Sequence, residues 1–328
     1  MKVAVFSTKS YDRQFFNIAN EQYHHELIFL EPRLNHQTAC LAMDAPVICI
    51  FVNDEINKDT LKILASNGLR LIALRCAGYN NVDVPAAKSF GVKMVRVPAY
   101  SPYAVAEHTV ALMLALNRKL HRAYNRVREG NFALEGLLGF DLHGRTIGIV
   151  GTGRIGQVVA QIMTGFGCNV LAYDLHRNSQ CESIGVQYVD LPQLFSRSDI
   201  VTLHCLLTSD TRHLVNEQAI SQMKPHTMLI NTGRGALIDT NAIIAALKTG
   251  QIGALGLDVY EQEAELFFED HSDQIIQDDT FARLMTFPNV MITGHQAFFT
   301  EEAMRAIAEV TLLNISQVEQ GQVCPNEI

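Results

Sequence analysis

The sequence lacks the spacings that turn cysteine or histidine into metal ligands. Its seven cysteines, Cys40, Cys49, Cys76, Cys168, Cys181, Cys205 and Cys324, are scattered and odd in number, and none forms a C-x-x-C pair. Reduced thiols acting as small core residues are expected. His24 and His25 are adjacent and no H-E-x-x-H occurs, so no metal centre is expected either. Positive charge is short as well: 26 Lys and Arg against 34 Asp and Glu leave a net charge of -8. That balance excludes the basic footprint of a nucleic-acid partner. Apolar runs are brief. The longest, residues 110–116, falls far below the roughly 20 residues needed to cross a bilayer, and no membrane partner is expected. Residues 1–6 pass straight into a polar stretch with no apolar segment ahead of a cleavage site, which predicts a cytoplasmic protein. Internal repeats and low-complexity tracts are absent too.

What is there is a globular composition, with 48% hydrophobic and 18% charged residues over 328 positions, enough for two domains. Strand-like runs at 3–6, 27–30, 47–52, 71–74 and 92–95 alternate with helix-length segments such as 58–66 and 84–89. Short strands separated by helices predict an open parallel sheet. Ser101-Pro102 then has the form of an N-cap with proline at the first helical position. The spacing predicts one helix over 103–125, apolar nearly all round as far as Asn117 and therefore buried. Its basic end (Arg118, Lys119, Arg122, Arg126, Arg128) suits a helix C-terminus and is read as a solvated face. A second series of strands follows at 146–150, 170–173, 200–205, 228–231, 254–259 and 290–293. A last helix over 300–320 is expected to return to the first domain. The reading is α/β throughout: residues 1–100 with 299–328 form one domain, and 101–298 a longer nucleotide-binding one.

Gly151-Thr152-Gly153-Arg154-Ile155-Gly156 follows a strand and opens a helix. In that context the first glycine permits a tight turn. The second lets the backbone approach a pyrophosphate, and the third lets helix and strand pack closely. N–H groups at the helix start would hold the phosphates. Asp174 closes the next strand, where a carboxylate accepts from the adenosine ribose hydroxyls and repels a 2′-phosphate. The cofactor expected is NAD rather than NADP.

Ligands of open α/β sheets bind beyond the carboxyl ends of the strands. The strand over 200–205 ends at Cys205-Leu206, and that over 228–231 runs into Thr232-Gly233-Arg234. The strand over 254–259 carries Asp258 and leads to Glu263, and the last leads to Gly294-His295. One Arg, one Glu and one His thus come from separate strand ends. Glu261 lies two positions before Glu263 and competes with it; the distance from Asp258 favours Glu263. Glu107-His108 offers a second acid–base pair, but its place after the proline-started helix turn reads as hinge or interface.

Further stretches complete the pattern: 75–83 (Arg-Cys-Ala-Gly-Tyr-Asn-Asn-Val-Asp), 97–102 (Val-Pro-Ala-Tyr-Ser-Pro), 104–108 (Ala-Val-Ala-Glu-His), 267–270 (Phe-Phe-Glu-Asp) and 294–297 (Gly-His-Gln-Ala). On these residues, which span nearly the whole chain, the sequence resembles the D-isomer-specific 2-hydroxyacid dehydrogenases, and within them the fermentative, D-lactate-forming branch. The resemblance implies a Rossmann NAD-binding domain beside a smaller flavodoxin-like substrate domain. It implies that His295 donates a proton to the alkoxide that forms on the substrate, and that Glu263 pairs with that imidazole and favours its charged form. Arg234 would fork onto the substrate carboxylate and polarise the carbonyl, with the backbone N–H groups of Ala77 and Gly78 as a second anchor. Arg154 and Ile155 would lie at the pyrophosphate, Cys205 and Leu206 near the adenine, and Thr211 beyond them. Thr232, Gly233 and Asp258 would face the nicotinamide end beside Arg234.

Pyruvate and D-lactate are the expected small-molecule pair, with Tyr100 and Phe298, from a set that includes Phe51 and Phe299, walling a small apolar slot. A D-2-hydroxyacid dehydrogenase acting on larger, branched 2-keto acids and an NAD-sensing corepressor-like binding protein are the rival readings. The family also implies a homodimer or homotetramer.

Overall fold

Elements alternate strand and helix almost to the end. The computed structural model describes residues 1–263 and 266–328. In chain order they are β1 (Lys2–Val5), α1 (Ser10–Tyr23), β2 (Glu26–Phe29), β3 (Val47–Ile50), α2 (Lys58–Ser66), β4 (Leu71–Leu74), α3 (Val84–Ser89), β5 (Lys93–Arg96), α4 (Pro102–Arg118) and α5 (Leu120–Arg128). Then come β6 (Thr146–Val150), α6 (Arg154–Gly165), β7 (Asn169–Tyr173), α7 (Ser179–Ser183), β8 (Gln187–Tyr188), α8 (Leu191–Arg197) and β9 (Ile200–Leu203). The series closes with α9 (Glu217–Ser221), β10 (Thr227–Asn231), α10 (Thr240–Thr249), β11 (Ile252–Leu257), α11 (Asp279–Met285), β12 (Val290–Ile292) and α12 (Glu301–Glu319). The chain separates into two units, Met1–Ser101 with Phe299–Ile328, and Pro102–Phe298. Ser101 falls in the first unit, one residue from the expected division.

In the first unit five parallel strands take the order β2-β1-β3-β4-β5, which is the flavodoxin-like arrangement. β3 and β4 are buried along their whole length, and their sequences, Val-Ile-Cys-Ile and Leu-Ile-Ala-Leu, have no polar position to show to water. One face is covered by α1 and α12, whose Phe16, Ala308, Leu312 and Ile315 are fully buried; Leu61, Leu64 and Ala87 of α2 and α3 cover the other. The last helix thus joins the first unit, capped by the Thr300 hydroxyl on Ala303 N.

The second unit has seven parallel strands ordered β12-β11-β10-β9-β6-β7-β8. Counted within the unit, this is the Rossmann order 3-2-1-4-5-6 extended by one strand. Helices α4 and α6 fill one face with Leu112, Met113, Val159 and Met163, and α8 to α11 fill the other. Because every strand is parallel, all seven carboxyl ends lie along one edge. That edge collects the loops of the site.

The single helix expected over 103–125 is two. Lys119 adopts a left-handed conformation (φ 50°, ψ 39°) between α4 and α5. The cause is a crossing segment: Asn117 exchanges two hydrogen bonds with the backbone of Phe140 (2.7 and 2.9 Å), and Lys119 Nζ donates to Leu138 O at 2.8 Å. A Cβ on Gly139 would lie 2.6 Å from Asn117 O, so only glycine lets the segment pass this close. No residue of α5 is buried. Its basic residues lie at the surface, in line with the solvated face expected, and share it with exposed Leu120, Tyr124 and Val127. Among the described residues, no helix is long and apolar enough to cross a membrane.

Candidate active site

The glycine loop occupies the β6–α6 turn. Gly151 has φ 95°, and its N–H donates to Tyr173 O at 2.8 Å. A Cβ there would sit 2.5 Å from Cys205 N, and one on Gly156 only 1.9 Å from Gly151 O. These two glycines are demanded by the protein itself. Gly153 is different: a Cβ added to it at the start of α6 would meet no protein atom within 4 Å. Free N–H groups at the first turn of this twelve-residue helix complete an anion-binding site that fits a pyrophosphate. Arg154 is exposed beside it, while Ile155 packs into the core.

Asp174 stands at the end of β7 and is locked to the glycine loop. One carboxylate oxygen accepts from Thr152 N (2.6 Å) and Thr152 Oγ1 (3.2 Å), the other from His176 N (3.1 Å). Partial burial works to raise its pKa, but these donors outweigh it and hold the carboxyl below its ordinary value. Across the loop, burial pushes the Cys205 thiol up to about 11, so it meets any ligand as a neutral, apolar group. Leu206 is 81% exposed and available for apolar contact. The Thr211 hydroxyl donates to Leu206 O at 2.6 Å and accepts from Thr208 N at 2.8 Å; it shapes the Leu206 loop.

Beyond β10, Asn231 is fully buried and folds the next loop around its side chain. Its amide donates to Arg234 O (2.9 Å) and accepts from Gly233 N (3.0 Å). Thr232 Oγ1 lies 2.8 Å from Thr109 Oγ1 of α4, and Arg234 Nη1 donates to Gly233 O at 2.8 Å. A Cβ on Gly235 would stand 2.1 Å from the carbonyl carbon of Tyr260, so the arginine loop lies directly against the β11 exit loop.

That neighbouring loop carries Glu263. Its Oε2 accepts from Tyr260 N at 2.9 Å, and its Oε1 lies 2.7 Å from His295 Nδ1. Glu261 points elsewhere, to Arg212 and to His213 Nε2 at 2.9 Å. The two acidic candidates are therefore separated: one meets the imidazole and the other closes a surface ion-pair cluster. His295 has φ 52°, in the left-handed region. Its N–H donates to Asp258 O at 2.8 Å, and the Phe268 ring lies 5.7 Å from its own.

Asp258 is fully buried, and its carboxylate accepts from Thr293 Oγ1 (2.5 Å), Gln296 N (2.9 Å) and Ala297 N (2.9 Å). It shapes the loop that bears His295. His108 also belongs here: Nε2 lies 3.1 Å from Thr293 Oγ1 and 3.5 Å from Asp258 Oδ1. These contacts lie within the second unit and place His108 beside the loop of His295. Thr293 is 185 positions away in sequence, and only the fold brings it to α4.

Among the proposed substrate residues, Phe298 closes the second unit and is buried. Ala77, Gly78 and Tyr100 belong to the first. Ala77 O accepts from Arg96 Nη1 at 2.9 Å, and Gly78 O from the Cys76 thiol at 3.2 Å. Both carbonyls are engaged within the unit. Tyr100 is partly buried after β5.

Residues 110–297 match the family model described as the D-isomer specific 2-hydroxyacid dehydrogenase, NAD binding domain. The chain is 52% identical to the D-lactate dehydrogenase of Escherichia coli over the full length of both. It superposes on the apo structure of D-lactate dehydrogenase from E. coli with a TM-score of 0.92, at 50% identity and complete coverage of both chains. The structure described as the pyruvate reductase of Chlamydomonas reinhardtii gives a TM-score of 0.94 at 46% identity, covering 99% of this chain and 98% of that one.

Proposed function

The chain belongs to the D-isomer specific 2-hydroxyacid dehydrogenase family of NAD-dependent enzymes, and from that premise we propose that it interconverts pyruvate and D-lactate. The observation that carries the chemistry is the 2.7 Å contact between His295 Nδ1 and Glu263 Oε1. An ionised carboxylate only accepts, so Nδ1 is the protonated nitrogen facing it. The proton exchanged with substrate is then the one at Nε2. In pyruvate reduction His295 gives that proton to the carbonyl oxygen, and in lactate oxidation it takes it back.

Bound at the glycine loop and Asp174, the nicotinamide dinucleotide supplies or accepts the hydride. Thr232, Gly233 and Asp258 would bound its nicotinamide end, with Cys205, Leu206 and Thr211 on the adenine side. Arg234 would hold the substrate carboxylate through two parallel N–H bonds, for which its planar, permanently charged fork is suited. The Ala77 and Gly78 N–H groups, the apolar bulk of Tyr100 and Phe298, and the preference for a methyl side chain rest on the family pattern.

The relatives named above support pyruvate as the substrate. The test is NADH oxidation with pyruvate and with 2-ketoisocaproate, followed by chiral analysis of the product. Pyruvate should give the higher kcat/KM and D-lactate as product; a higher value for the branched acid would reject the reading. A cytoplasmic homodimer or homotetramer is part of the same proposal. Supporting the oligomer are the exposed apolar residues of α5 and the segment after it, including Phe132, Leu134 and Leu138, which are 74, 80 and 87% exposed.

A further inference from the structure

Asp258 is a fully buried carboxylate with which, among the described residues, neither a lysine nor an arginine pairs. The only described basic side chain within ion-pair range of it is His108, with Nε2 3.5 Å from Oδ1. The remaining acceptor capacity is taken by Thr293 Oγ1 and the N–H groups of Gln296 and Ala297, and the Asp258 carbonyl takes the N–H of His295. Three successive residues of the loop that carries the imidazole thus hang on one aspartate.

The direction of this series of bonds follows from what each group can donate. Ionised Asp258 only accepts, so the Thr293 hydroxyl donates to it at 2.5 Å. The Thr293 oxygen then has only lone pairs left, and the 3.1 Å contact requires His108 Nε2 to be the donor. The adjacent residue of α4, Thr109, meets Thr232 Oγ1 at 2.8 Å. Two neighbouring positions on one buried helix therefore hold both the loop of Arg234 and the loop of His295. The left-handed backbone at His295 is the kind of conformation that persists only when its surroundings enforce it.

We infer that His108 is a positioning residue: through Thr293 and Asp258 it fixes the loop that aims the His295 imidazole. The inference rests on the reading of His295 as the proton donor. Loss of the His108 donor frees Thr293 to turn away from Asp258 and lets the His295 loop relax, while the glycine loop is untouched.

The experiment measures kcat and KM for pyruvate, NADH affinity by nicotinamide fluorescence, and thermal melting, on the full-length protein. His108→Ala should lower kcat about 10–100-fold, the range for a small misplacement of a catalytic group, with NADH affinity changed no more than about threefold. His108→Gln, which keeps an N–H donor at similar reach, should recover most of the loss, as a mere packing role would not require. Thr293→Val should match His108→Ala, and the double variant should be no worse than either single one, because both cut the same series of bonds. A kcat for His108→Ala within about twofold of the parent, a Gln variant as slow as the Ala variant, or additive losses in the double variant would each overturn the inference. His295→Gln separates the two levels. If it retains activity, the proton-donor reading itself falls; if it is inactive while His108→Ala is normal, only the positioning role falls.

Discussion

Glu263 and His295 meet at 2.7 Å, while Glu261, two positions earlier in the sequence, turns to Arg212 and His213. The division follows from the turn after β11. Glu263 Oε2 closes back on Tyr260 N, which leaves Oε1 facing the imidazole, and Gly235 permits the arginine loop to lie against the same turn. Substitution should separate the two acids as cleanly. On the proposed reading, Glu263→Gln would remove the carboxylate that orients the His295 imidazole, and should lower kcat for pyruvate reduction at least about tenfold. Glu261→Gln should leave kcat within about twofold, as expected for a surface pair. Steady-state NADH oxidation measures both, and equal losses would show that the two carboxylates do not have separate roles.

The glycines of the 151–156 loop should divide by a different criterion. A Cβ at Gly156 collides with Gly151 O, so Gly156→Ala must displace the turn; both melting temperature and NADH affinity should fall. At Gly153 the added methyl touches no protein atom. Gly153→Ala should melt within roughly 2 °C of the parent, yet bind NADH about tenfold or more weakly, because the methyl occupies the pyrophosphate approach. Unaltered NADH binding by Gly153→Ala would place the phosphates elsewhere.

These contrasts show which features local sequence encodes. The glycine loop, Asp174 and the order of strands are written in short runs: β3 and β4 are apolar strings, and Gly-x-Gly-x-x-Gly sits between a strand and a helix. The helix caps are similarly local, as with Asn57 accepting from Thr60 N and Thr300 from Ala303 N. Two features were not legible. Lys119 breaks the expected long helix because Phe140 binds Asn117 from a remote segment, which no helical periodicity records. His108 follows the proline-started turn of α4, a place that reads as hinge or interface, and its contact with Thr293, far away in sequence, is made only by the fold. The glutamate ambiguity was of the same kind, because spacing ranks Glu261 and Glu263 but only the turn geometry separates them.

The exposed apolar surface of α5 and the following segment yields a prediction about assembly. Leu120, Tyr124, Phe132, Leu134 and Leu138 are all more than half exposed, and α5 buries no residue in its own unit. Such a surface is costly in water, and a second copy of the protein would cover it. Phe132→Asp combined with Leu138→Asp should shift sedimentation from oligomer to monomer, because burying two carboxylates in an interface without partners is unfavourable. An unchanged sedimentation coefficient would show that this surface takes no part in assembly.

On the proposed reading, cofactor choice would depend on the charge of Asp174, and the hydrogen bonds at that residue would determine how the choice responds to pH. Burial alone would raise its pKa, but donation from His176 N, Thr152 N and Thr152 Oγ1 brings the value below that of an ordinary carboxylate. A group lowered in this way is ionised throughout the range above the unfolded value of about 3.9. The preference for NADH over NADPH should therefore persist from about pH 8 to about pH 5, with no loss across the window in which histidines titrate. Asp174→Ala should reduce kcat/KM for NADH and narrow the ratio to NADPH by about tenfold or more, since both the ribose acceptor and the repulsion of the 2′-phosphate disappear. Initial rates with the two dinucleotides at several pH values measure both effects. A parent enzyme whose selectivity collapsed between about pH 7 and about pH 5 would owe its choice to a histidine such as His176 rather than to the carboxylate.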